Sequence, residues 1–184
     1  MPQMVLVAVV LLVASLVRPI GAEARTITVD GGSFEQQLHL KEAIDAFDEA
    51  GLELPDVQVR FSKDEADCHG HLGNFEPGQT PWRISVCSDL EFVASHELAH
   101  AWERARATDE DRAEFMRVRG HDNWNDSTAG WSDRGAEDAA FVIQQGLMSW
   151  PLPARLSDEM VSRLDAFEIL TGVPSPRVPS SADV

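Results

Sequence analysis

His96-Glu97-Leu98-Ala99-His100 constrains this chain more than any other feature. The pattern H-E-x-x-H acts through a helix. Residues four apart on an α-helix lie one turn above each other on one face, so His96 and His100 can aim two imidazoles at one metal ion. Glu97 lies about 100° round the axis from His96, within reach of a water beside that ion rather than of the ion itself. The flanks support the helix. Leu90, Phe92, Val93, Leu98 and Trp102 give the apolar character of a buried element, and Ser88 with Glu91 three positions on reads as a capping box. Two imidazoles and a carboxylate on an apolar helix need partners. A metal supplies them; the competing reading is a pair of core histidines satisfied by other side chains.

The run Val93-Ala94-Ser95-His96-Glu97-Leu98-Ala99-His100-Ala101-Trp102 resembles the active-site helix of the zincin metallopeptidases. The resemblance is strong over this run, and the order of elements around it adds weaker support. It implies an α+β fold, with a small, mostly antiparallel sheet packed on the active-site helix and a helical C-terminal half. It also implies Zn²⁺ held by three protein ligands, and hydrolysis of a peptide or protein substrate with Glu97 as general base.

The third ligand is not in the motif. The metzincin spacing would need Gly and His where this chain has Glu103 and Arg106. Glu137 is the first candidate. It stands in Gly135-Ala136-Glu137-Asp138-Ala139-Ala140, among small residues that allow two helices to approach closely. This arrangement resembles the gluzincin branch, in which a Glu on a later helix completes the set. That branch often carries an Asp four residues further on; here the position is Phe141. Asp138 and His121 are the alternative ligands. Many zincins stabilise the oxyanion with His or Tyr. The chain has no Tyr, which leaves His121 as the catalytic candidate for that role and Arg134 second.

A chain of 184 residues with 43% hydrophobic content can bury the core of one domain, placed at residues 25–172. The net charge of −16 argues against nucleic acid and anionic membrane surfaces as partners. Residues 4–17 are almost wholly apolar and Ala22-Glu23-Ala24 fits a cleavage site, so residues 1–24 read as a secretory signal, although no Lys or Arg precedes the apolar run. The expectation is a secreted monomer beginning at Arg25, with no stable membrane association after cleavage. In an exported chain the two cysteines, Cys68 and Cys87, suggest one disulfide. The alternative is a metal site built on Cys68-His69-Gly70-His71.

Patterning predicts strands near residues 26–29 and over Val57–Phe61 and residues 83–87, and helices over residues 34–50, 109–118 and 133–146. A last helix runs to Leu170 from a Ser157 cap, and residues 173–184 form a disordered Pro/Ser-rich tail. Residues 62–81 read as a polar loop, and Trp82–Val86 as the sheet edge to which a substrate peptide would add. Trp102, Trp124, Trp131 and Trp150 line either a cleft or the core. Two functions rival the peptidase: a zinc-stabilised binding domain without catalysis, and an interaction module with a fortuitous motif. Retention of Glu97 weighs against the first, since a structural site needs no base.

Overall fold

A helix that joins two neighbouring strands returns the chain to the end of the sheet where it began, so the strands run parallel. In the computed structural model, which describes residues 25–148 and 158–177, β1 (Ile27–Asp30) leads through α1 (Phe34–Glu49) to β2 (Val57–Phe61) in this way. Ser33 caps α1 in a reciprocal pair with Gln36. A 3₁₀ turn, Glu65–Cys68, then precedes β3 (Gly73–Glu76) and β4 (Trp82–Val86). The sheet order is β1-β2-β4-β3. β4 lies parallel to β2, and only β3 is antiparallel to its neighbour.

The α+β class stands, but the sheet is mixed rather than mostly antiparallel. The physical reason is the α1 crossover between β1 and β2. A second correction follows. β4 is internal, between β2 and β3, so the edge beside it is β3, within the stretch expected to be loop. Gly73-Asn74-Phe75-Glu76 lacks alternation and carries weak strand formers, and all four residues are half-buried. Pairing with β4 makes the strand, not local propensity.

Val57, Val59, Ile84 and Val86 are buried together with Leu40, Ala43 and Phe47 of α1. The same core takes in Val93, Ala94, Leu98 and Ala99 of α2 (Glu91–Arg106), the helix that carries the motif. The expected capping box at its start is absent. Leu90 is the N-cap, and the Ser88 hydroxyl accepts from the Leu90 amide at 3.1 Å instead. Ser88 sits two residues too early to reach the first turn.

Beyond α2 come α3 (Asp109–Arg119), a 3₁₀ turn at Trp131–Asp133, α4 (Gly135–Leu147) and α5 (Asp158–Thr171). Thr108 caps α3, and Gly120 ends it in the left-handed region. Asp133, expected inside the third helix, closes the 3₁₀ turn. Residues 173–177 do not behave as a disordered tail. Val173 packs on the core, and the buried Ser175 hydroxyl donates to the Gly146 carbonyl at 2.8 Å. The signal reading, Trp150, the Ser157 cap and residues 178–184 lie outside the described residues.

Cys68 and Cys87 form the expected disulfide, which removes the cysteine from any metal site at Cys68-His69-Gly70-His71. It ties the turn before β3 to the end of β4, just ahead of α2. Closing a loop of this length, a separation of 19 residues, stabilises by about 3 kcal/mol.

The α4–α5 contact is tighter still. A Cβ on Gly146 would lie 2.2 Å from Cδ2 of the fully buried Phe167. Gly146→Ala should therefore cost about 1–3 kcal/mol in urea unfolding. An unchanged midpoint would mean that the two helices do not meet this closely.

Candidate metal centre

Two helices carry the centre, and small residues set their separation. On α4, Ala136, Ala139 and Ala140 are buried, as are Ala94, Ala99 and Ala101 on α2. Gln144 pins the pair. Its side-chain amide donates to the Phe92 carbonyl and to the Ser95 hydroxyl, each at 2.6 Å. Two turns back along α4, this packing leaves Glu137 facing the motif.

Glu137 Oε2 lies 3.2 Å from Nε2 of His96 and 3.2 Å from Nε2 of His100. The three side chains are 10%, 14% and 15% exposed for His96, His100 and Glu137. Their ligand atoms all fall within 4.8 Å of one another, and this is the group among the described residues that could hold a metal ion. The donor set fits zinc. With bonds of about 2.0–2.1 Å, adjacent tetrahedral ligands lie about 3.3 Å apart. Two imidazoles and a carboxylate also form a familiar three-ligand set with a fourth position open. Asp138, the neighbouring alternative, is turned elsewhere.

The electrostatics follow from burial against mutual pairing. Burial pushes the Glu137 carboxyl up, but hydrogen bonds from His100 and His96 outweigh it and hold the group well below the usual carboxylate range. Burial dominates at His96 and lowers its pKa, despite Glu137. At His100 burial acts in the same direction, but Glu137, Glu97 and Glu103 together raise the value.

His96 Nδ1 is buried with no hydrogen-bond partner. Phe141, one turn after Glu137, meets the His96 ring edge-on at 5.5 Å. The imidazole is held by packing, including the His100 ring at 4.7 Å, where an acceptor would otherwise orient a ligating histidine.

Glu97 is 7% exposed and is not one of the three convergent residues. Burial pushes its carboxyl up to about 7, with His100 pulling down and Glu137 adding to the rise. Its neighbour across the sheet edge is Gly73: a Cβ there would lie 2.5 Å from Glu97 Oε1 and 2.7 Å from Val93 Cγ1. Gly73 is thus a site residue that the sequence reading passed over. Phe75, two residues on, stacks on the His100 ring at 6.5 Å, and Trp82 meets Phe75 edge-on at 5.5 Å. The one signal that pointed here was the pair of cysteines bracketing the segment.

The remaining candidates serve other contacts. Asp138 takes both nitrogens of a fork from Arg119, at 2.7 and 3.1 Å, and pairs with His121 Nε2 at 2.9 Å. His121 stacks on the buried Phe115. The structure does not bring His121 or Asp138 into the three-residue set. The Arg134 guanidinium donates to the Ala129 and Ser127 carbonyls. Glu103 pairs with Arg112 at 2.6 Å and Arg106 with Glu53 at 2.9 Å, so the positions that break the metzincin spacing tie α2 to its surroundings. Of the four tryptophans considered, Trp102 is buried in the core, Trp124 packs on Phe115, and Trp131 alone among the described ones stands exposed beside His96.

Zinc titration calorimetry should find one site on the parent. His96→Ala, His100→Ala and Glu137→Ala should each weaken it by at least about 100-fold, while Asp138→Asn and His121→Ala stay within about 10-fold. Equal losses for Asp138→Asn and Glu137→Ala would reassign the third ligand.

No protein-family model, characterised protein or solved structure matches this chain.

Proposed function

We propose that this protein is a secreted zinc-dependent peptidase of zincin type. The observation that carries the reading is Glu97. It is a buried carboxylate one residue after His96, close to the convergent set yet outside it, where a purely structural metal site would need no such group. The disulfide supports export, and no helix among the described residues is long and apolar enough to cross a membrane.

Zinc bound by His96, His100 and Glu137 would polarise a scissile carbonyl and acidify a water. In that reaction Glu97 would accept a proton as the water oxygen bonds to the carbonyl carbon, and would return it to the amine nitrogen as the C–N bond breaks. In the metal-free protein burial raises the affinity of this carboxyl for a proton. Among the described residues β3 is an edge strand, so an extended peptide can hydrogen-bond alongside the motif helix. This role moves from Trp82–Val86, the strand first expected to fill it, to Gly73–Glu76. The absence of a side chain at Gly73 keeps the Glu97 carboxylate close to that edge.

Glu97→Gln tests the reading. The variant should bind zinc as the parent does and lose about 10²–10⁴-fold in kcat/KM on a mixed peptide library. A Gln variant that hydrolyses peptides as fast as the parent would remove Glu97 from the chemistry. Gly73→Ala should retain zinc yet slow hydrolysis by about 10-fold or more, because its methyl group displaces the Glu97 carboxylate.

A further inference from the structure

Trp131 is 50% exposed, and its ring centroid lies 6.0 Å from that of His96. Exposure alone means little, since single apolar side chains are scattered over most protein surfaces. Position and rigidity carry more. Trp131 meets Phe141 edge-on at 6.0 Å, and Phe141 in turn meets His96 at 5.5 Å. Trp131 and Phe141 form a continuous apolar wall beside His96, in a chain whose net charge is −16.

The turn that presents Trp131 is tied down on both sides. The Asp133 amide donates to the Gly130 carbonyl at 3.0 Å, and the Gly135 amide to the Asn123 carbonyl at 3.1 Å. Asn123 reaches the Asp133 carbonyl at 3.3 Å, and Arg134 clasps the Ala129 carbonyl at 3.1 Å. A half-exposed indole held this way loses little freedom when a ligand covers it. Its exposed area is offered, beside the reacting centre, to an apolar group.

We infer that Trp131, backed by Phe141, seats a large apolar side chain of the peptide, aromatic by preference, next to the scissile bond. The inference rests on the peptidase reading above and names its substrate class.

The test uses acetyl-Ala-Ala-Xaa-Ala-Ala-amide with Xaa as Phe, Leu or Ser. Affinities are measured calorimetrically on the zinc-loaded Glu97→Gln protein, and kcat/KM on the parent. The Phe peptide should bind about tenfold tighter than the Ser peptide, with Leu between. Adding Trp131→Ala should bring that ratio to about 2 or less, and Trp131→Phe should keep most of it. The Phe-to-Ser ratio of kcat/KM should fall in parallel. Peptides bound and cleaved with no preference, or a preference untouched by Trp131→Ala, would overturn the inference and leave the peptidase reading standing. A parent that neither binds nor cleaves any of the peptides, nor any member of the mixed library, would overturn both.

Discussion

The approach of α4 to α2 governs everything at this site. A carboxylate oxygen must come within about 3 Å of two imidazole nitrogens on another helix, and only close helix packing allows it. Alanines on both sides of the contact make the approach possible, and Gln144 fixes the register through Phe92 and Ser95. On the far side of α4, Gly146 admits Phe167 of α5, so the helix is clamped between two neighbours. Arg119 and His121 hold Asp138, which turns the adjacent Glu137 toward the histidines. A buried ion pair of this kind contributes more to geometry than to stability. Here the geometry it serves is the direction of one carboxylate.

The sheet contributes the second wall. β3 crosses close enough to α2 that a side chain at Gly73 would have to displace Glu97 or Val93. The disulfide closes the segment that contains β3 and ends where α2 is about to begin. Burial of Glu97 and the edge on which a peptide would add therefore come from the same short strand. Phe141 and Trp131 lie beside His96, and Phe75, with Trp82 against it, lies beside His100.

Helix starts and stops with strong local chemistry were legible from the residues alone. Thr108 caps its helix and Gly120 ends it through their own local chemistry, and β2 falls where alternation placed it. His96, His100 and Glu137 were legible because helical spacing and a run of small residues are local patterns. The parts that were not legible depend on partners distant in the chain. β3 has no pattern of its own and exists through pairing with β4. The mixed sheet follows from a crossover whose consequence the strand patterns do not display. The Ser88 cap failed because two candidate starts differ by two residues, and tertiary packing chose the later one. His121 looked free for catalysis because nothing local reveals that Asp138, 17 residues on in α4, holds it.

The central claim is that two imidazoles and one carboxylate from α2 and α4 bind a single zinc ion. X-ray absorption at the zinc edge, on protein carrying one equivalent of zinc, tests it most directly. The account predicts a four-coordinate shell at about 2.0–2.1 Å, with multiple scattering from two imidazoles and the remaining ligands oxygen. A shell containing sulfur, an all-oxygen octahedral shell, or scattering from no more than one imidazole would contradict it.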